Sequence, residues 1–445
     1  MIFPTPIRQA ASALLALTSL SALTAPALAQ ISSAPLPNAA ALSPSDAQRP
    51  DLPPNELVAQ ALDQHPAVLA AEARFNAAQS QGEMLRVGPH ETEVAASISR
   101  RDIQLEGQYQ DFDLSVSRPF RLPGKAALDR RAGTLTVDVA RSQWAAVRHQ
   151  AALMLGELWT EWLTAHALTT SDADVVAGLE RASGAVQRRI TLRDAAALDG
   201  DQASAALALA RGILSESQAR TIAARANLAA HFPSLLLPIT PPPLGRPHAA
   251  SDTLDTLHQR SLSVSHDVAI ARNEADRLSV LADRARADRI ADPSFGLRLF
   301  SERSGMEKGA GITASIPLGG RYRKRASDEA AAQARAAGFA LSAAQRSTQA
   351  NASASLTNAR ASLLVWEKMA EAATHSAKLF ERTARGYALG AIDMADTLYT
   401  QRQYQESQRS EINARGAAIK ALLKLEIDAH QIWAPPASPP AAAAP

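Results

Sequence analysis

"SVSRPFRLPGK" occupies residues 115–125, and about two hundred residues later the chain writes a close variant, "ASIPLGGR", at 314–321. Each phrase holds a Ser with a Pro two places on (Ser117 and Pro119, Ser315 and Pro317). An apolar residue, a glycine (Gly124, Gly320) and a basic residue follow. Upstream, "LVAQALDQHPAV" (57–68) is echoed by "LHQRSLSVSHDV" (257–268). Downstream, "AALDGDQA" (196–203) roughly matches "ALGAIDMA" (388–395). An offset that holds across the whole chain argues for a tandem duplication.

The segments around the two phrases have contrasting periods. Before each lies an alternating zone. Phe112, Leu114 and Val116 point one way while Asp113, Ser115 and Ser117 point the other. In the second copy Phe295, Leu297 and Leu299 alternate with Gly296 and Arg298, and Ile312, Ala314 and Ile316 with Thr313 and Ser315. Polar turns within each zone predict two strand hairpins, at about 92–119 and 293–317. After each phrase the period becomes helical. Trp144, Val147, Ala151, Leu155, Leu158 and Trp162 step by threes and fours, as do Leu356, Ala359, Leu363, Trp366, Ala370, Ala373, Ala377 and Phe380. Those are coiled-coil seams. No proline interrupts residues 321–386, and a helix of that length would be roughly 100 Å long.

The expected organisation follows. A first repeat (54–230) runs helix, hairpin, long helix, turn near 200, helix. A Pro-rich linker (231–250) leads to a second repeat (251–433) in the same order, with its turn near 390. An extended segment (30–53) precedes them and a disordered tail (434–445) follows.

Of the 445 residues 46% are apolar but only 4% aromatic, so alanine carries much of the apolar count. Such a chain packs helices closely without filling a thick core. A net charge of +2 and no basic stripe with interleaved aromatics give no case for nucleic acid as a partner. Arg8, the apolar run "AASALLALTSLSAL" and Ala27-Leu28-Ala29 read as a cleaved signal peptide over 1–29. With no cysteine, neither disulfides nor a lipid-anchor cysteine is available. No later segment has eighteen consecutive apolar residues, so any membrane crossing must use strands. Four strands cannot close on themselves, and open edges are not tolerated in hydrocarbon. Three copies would make a 12-stranded barrel with an aqueous lumen. A soluble periplasmic protein with two surface hairpins is the alternative.

Across the mature chain the sequence resembles the outer-membrane efflux (TolC) family. The strand-to-helix phrase carries that resemblance, together with "RGYALGAIDMADTLYTQRQYQESQ" (385–408), similar to the family's Tyr-x-x-Gly, Asp, Leu pattern. It implies a mainly α fold with a small membrane β-barrel part. In that fold a trimeric 12-stranded barrel, four strands per protomer, joins a long α-helical coiled-coil barrel. It further implies an outer-membrane duct reaching into the periplasm. The partners are a homotrimer, a periplasmic adaptor (membrane fusion) protein, an inner-membrane pump of the resistance-nodulation-division type, and outer-membrane lipid.

Particular residues acquire expected roles. Pro119 and Pro317 stop the strand ladder and Gly124 and Gly320 let the chain swing into helix. Lys125, Arg130, Arg321 and Arg323, with Arg131, Lys324 and Arg325, sit badly at the positive end of a helix dipole. Inner-leaflet phosphates would resolve that conflict and are the favoured reading, with a solvated basic turn as the alternative. Gly200 and Gly390 end long helices, with Asp201 and Asp393 capping the next. By resemblance, Tyr387 and Asp396 help hold the closed periplasmic aperture. Ile392 and Tyr399 depart from the family's pattern there. Leu389, Gly390, Ala391, Ile392 and Gly200 form the tip expected to dock the adaptor.

No nucleotide loop, nucleophile elbow or zinc motif is present, so an enzyme is not expected, nor a cofactor. Histidines are scattered without an i, i+4 pair, and no metal site is expected. Trp159 and Trp162 in "ELWTEWLTA" are similar to the family's heavy-metal cation (cobalt-zinc-cadmium type) branch, although two tryptophans anchoring helix packing are the better explanation on physical grounds. A type I secretion outlet and a non-pore periplasmic coiled-coil scaffold stay as alternatives to the efflux duct.

Overall fold

The computed structural model describes residues 51–248 and 253–439. The expected signal peptide lies outside the described residues, as do positions 30–50 of the extended segment, 249–252, and 440–445 of the tail.

Each half opens with two short helices, α1 (Asn55–Asp63) and α2 (Pro66–Val87), then α5 (Leu254–Ser263) and α6 (His266–Ala287). The sequence suggested one helical stretch in each place. Pro66 breaks the first, because a proline fits the first helical turn but not a helix interior. Ser265 breaks the second by accepting the Val268 N–H as an N-cap. Strands β1 (Glu93–Ile103) and β2 (Gly107–Pro119) follow in the first half, β3 (Ser294–Glu302) and β4 (Glu307–Ser315) in the second. The long helices are α3 (Lys125–Thr191) and α7 (Arg321–Ala388), of 67 and 68 residues. Their return helices α4 (Ala197–His231) and α8 (Met394–Asp428) have 35 residues each. At 1.5 Å per residue the long pair spans about 100 Å.

All four strands form one antiparallel sheet in the order β1-β2-β3-β4. Register aligns Val94, Val116, Leu297 and Ile312 in one row across the sheet and Ala96, Leu114, Leu299 and Ala310 in the next. Residues directly opposite share a face, so this face is apolar across both rows, and Val94, Val116, Leu297 and Ile312 are all exposed on it. The next row, Ile98, Phe112, Ser301 and Lys308, is apolar only on the first hairpin. Its reverse carries Ser97, Ser115, Asp113, Arg298 and Thr313, with an Arg298–Asp113 ion pair and an Arg101–Asp111 pair at 3.1 Å. β1 and β4 leave their outer edges unpaired. Among the described residues no helix is long and apolar enough to cross a membrane.

The main core gathers where α3, α4 and α8 pack beside α1 and α2. Trp144, Leu155 and Trp162 of α3 meet Leu228, Leu423 and Ile427. Trp159 stands edge-to-face on Trp162 at 5.4 Å and donates its indole N–H to Asp51 O. Both rings are buried in the helix core. The connection after α4 is not a free linker. Phe232, Leu235 and Leu244 are buried in the same core, and Leu244 O accepts a hydrogen bond from Arg415.

Candidate functional site: helix tips and the strand-to-helix junction

At the far end of the long helices two turns stand side by side. Helix α7 ends in a Schellman motif, with Gly390 N–H to Tyr387 O at 3.0 Å and Ala391 N–H to Gly386 O at 2.9 Å. Gly390 is left-handed, φ 76°, where a side chain would be strained. Helix α3 ends identically, with Arg193 N–H to Ile190 O at 2.9 Å and Asp194 N–H to Arg189 O at 2.8 Å. Its left-handed residue is Arg193, φ 63°.

The first turn is therefore Leu192–Ala196, several residues before Gly200. Gly200 lies inside the first turns of α4, buried, where an added Cβ would stand 2.7 Å from Ile190 Cδ1. It is a packing glycine and neither ends a helix nor forms part of the tip. Asp201 is exposed further along α4 and caps nothing. Asp199 instead accepts the Ala196 N–H at 3.3 Å. Pairing helix ends matches Asp199 with Asp396, a register that the near-repeat of "AALDGDQA" and "ALGAIDMA" misplaced.

In the second turn Asp393 caps α8 by accepting the Asp396 N–H at 2.8 Å. Asp396 is exposed in the first turn of that helix, where a carboxylate suits the dipole. Leu389 is 85% exposed and its counterpart Leu192 is 77% exposed. Ala391 is exposed too. Ile392 is not part of that surface: its side chain folds back over Gly386, where a Cβ would meet Ile392 Cδ1 at 2.6 Å.

Tyr387 faces α3. The Arg189 guanidinium lies 5.4 Å from its ring centroid, within cation–π range. Arg189 Nε also donates to Asp194 Oδ2 at 2.9 Å, and that hydrogen bond raises its pKa. Tyr387, Arg189 and Asp194 thus link the ends of the two long helices within one chain. Arg189 and Asp194 were missed in the sequence, because only the position of the α3 terminus reveals them.

At the other end, the strands hand over to helix. Pro119 is the last residue of β2, paired with Ser294, and Pro317 follows the end of β4 by two residues. Gly124 caps α3 with φ 88°, as a left-handed swing demands. Gly320 differs: its φ of −134° is ordinary extended backbone with open space around it. The constrained glycine is Gly319, where a Cβ would stand 2.6 Å from Arg289 O.

Lys125 does not face lipid. It is 2% exposed and donates to Asp292 Oδ1 at 2.9 Å and Ile290 O at 2.7 Å, with Asp288 Oδ1 at 3.0 Å. The dipole conflict at the start of α3 is thus resolved by carboxylates of the other repeat. Burial pushes Asp292 upward, but the Leu122 N–H, Lys125 and His90 outweigh it, and its pKa is lowered. Asp129 extends the network, accepting from Arg121 at 3.1 Å and Arg284 at 2.6 Å. Arg323 is also engaged, donating to Asp288 O at 2.9 Å. Arg130 and Arg321 remain exposed, as do Phe120, Ile316, Leu318 and Tyr322 in the flanking sequence.

This architecture is the TolC-like fold of solved outer-membrane channels: a four-stranded sheet with one oily face, carried on paired helices of great length. A membrane protein from Pseudomonas aeruginosa superposes with a TM-score of 0.71 at 16% identity, over 84% of this chain and 89% of that one. The outer membrane protein VceC from Vibrio cholerae gives 0.69 at 17%, over 84% and 95%. The open state of the MtrE outer membrane channel of Neisseria gonorrhoeae gives 0.67 at 13%, over 84% and 88%. No family model matches the sequence, and no curated protein sequence matches it.

Proposed function

We propose that three copies of this chain close a 12-stranded barrel in the outer membrane and act as the passive channel of a tripartite efflux system. The observation that carries this reading is the two-faced sheet. Its apolar face suits hydrocarbon, its charged face suits a water-filled lumen, and its β1 and β4 edges need partners that only other copies supply. The fold likeness to solved outer-membrane channels supports the same reading. Helices about 100 Å long suit a conduit across the periplasm.

In this reading the Leu192 and Leu389 tips meet a periplasmic adaptor, and an inner-membrane pump of the resistance-nodulation-division type delivers the cargo. The Arg189–Tyr387–Asp194 link holds the tips together in the closed state, with Asp393 and Asp396 lining the aperture. Arg130 and Arg321 lie at the inner-leaflet interface. Cargo selection belongs to the pump. Heavy-metal cations are the cargo class suggested by the resemblance of Trp159 and Trp162, and nothing in their packing adds to it.

Detergent-extracted protein reconstituted in planar bilayers tests the proposal. A mass of three chains and stable single-channel steps are expected. A monomer released by osmotic shock without detergent, giving no conductance, would mean a periplasmic scaffold instead.

A further inference from the structure

The scattered histidines are partly gathered by the fold. His149 from the middle of α3, His266 from the first turn of α6 and His430 just past α8 each place one ring nitrogen within 4.8 Å of one from each of the others. His266 Nε2 and His430 Nε2 stand 3.0 Å apart. Two imidazoles bound tetrahedrally to one ion at about 2.0–2.1 Å hold their nitrogens roughly 3.3 Å apart, so this pair needs only slight opening, while the His149 ring closes in from within 4.8 Å. His149 Nε2 meets Asp428 Oδ1 at 3.1 Å, the carboxylate–histidine contact that orients ligating imidazoles. The three rings lie at the wall of a surface cavity that Ser265, Thr348 and Asp428 also line, so an ion and a fourth, water ligand have access.

The backbone is bent to build this arrangement. Helix α8 ends in a Schellman motif, with His430 N–H to Ile427 O at 2.9 Å and Gln431 N–H to Glu426 O at 2.8 Å. The left-handed position, φ 53°, is held by His430 and not by glycine. A side chain at that position is uncommon, and here it delivers an imidazole to the other two.

We propose that His149, His266 and His430 form a binding site for one divalent first-row transition-metal ion per chain, oriented by Asp428. Three imidazoles are a borderline donor set suited to Zn(II), Co(II), Ni(II) and Cu(II), and unsuited to the oxygen-seeking Ca(II) and Mg(II). The ion would join α3, α6 and the end of α8 at the same level as the helical core, far along the chain from both helix tips.

The test uses the full chain in detergent, carrying no polyhistidine tag and stripped with EDTA. Co(II) is titrated at neutral pH with its visible absorption as readout, and Zn(II) is then used to displace it. One equivalent per chain is expected. His266→Asn and His430→Gly should each weaken binding at least as much as the roughly 10–100-fold that loss of an orienting partner costs, and Asp428→Asn should fall within that range. His430→Gly keeps the fold, because glycine is favoured at that left-handed position. His375→Asn, on an exposed stretch of α7, should change nothing. Absence of a Co(II) band in the wild-type chain, or a band unaltered by His266→Asn and His430→Gly, would overturn the assignment.

Discussion

Arg193 and Gly390 stand at the same point of the two repeats: each is the left-handed residue that terminates its long helix, with φ of 63° and 76°. Left-handed backbone costs an ordinary side chain roughly 1–2 kcal/mol. Arg193→Gly should therefore stabilise the chain by about 1 kcal/mol, and Gly390→Ala should destabilise it by a similar amount. Thermal scans at one fixed rate would read both, and equal shifts of the same sign would contradict the paired roles.

The two neighbouring glycines before α7 separate cleanly. Gly319→Ala drives a Cβ to 2.6 Å from Arg289 O, whereas Gly320→Ala meets nothing within 4 Å. The first should cost about 1–3 kcal/mol, the range for overpacking, and the second close to nothing. Yield of the heat-resistant oligomer and its melting temperature would rank them.

Removing Lys125 leaves Asp292 without its cation, whereas Asp288 keeps its ion pair with Arg284. Lys125→Met should cost about 3 kcal/mol, at the low end for a broken buried pair because Asp288 is 40% exposed. Arg321→Ala, on an exposed side chain, should leave the melting temperature unchanged. A neutral Lys125 variant would return that residue to the surface role first expected of it.

On the sheet, face should decide tolerance. Leu297→Arg places a charge on the apolar face and should cost roughly 2–4 kcal/mol near a bilayer midplane. Ser97→Arg, on the polar face opposite Asp113, should assemble normally and alter conductance. Heat-resistant oligomer in the membrane fraction is the measurement, and equal assembly of the two variants would count against lipid on the Leu297 side.

Acid should loosen the helical part. Burial, with His430 and His149 nearby, lowers His266 to about 4; Asp267, Asp428 and Lys424 line the same cavity. The unfolded chain binds this proton below its ordinary value near 6.5 and the folded chain resists until about 4. Stability present above pH 6.5 is thus lost as pH falls towards 4, by no more than about 2 kcal/mol after solvent screening. His266→Asn should flatten that part of the melting-temperature profile, and an unaltered slope would assign the loss to other groups.

The fold was legible because its signals are local and doubled. Alternation in Phe112–Ser117 and the seam from Trp144 to Trp162 each name their element, and the echo of one repeat supports the other. The site was less legible because it depends on helix ends and on distant pairs. Gly200 drew attention as a helix stop, although its role is to let α4 pack on Ile190. Arg193, which does stop a helix, has no sequence mark at all. Lys125 looked unpaired because its carboxylates lie more than 160 residues away. The histidine cluster draws on three separate segments, so no spacing rule finds it.

Two hairpins of 67 plus 35 and 68 plus 35 residues reach to nearly the same depth. A ring of three such chains would be six-spoked in outline and only three-fold in chemistry, with Leu192–Arg193 corners alternating with Leu389–Gly390 corners. Anything that seats on that rim in six copies must accept two unlike perches, and anything arriving in three has to choose between them.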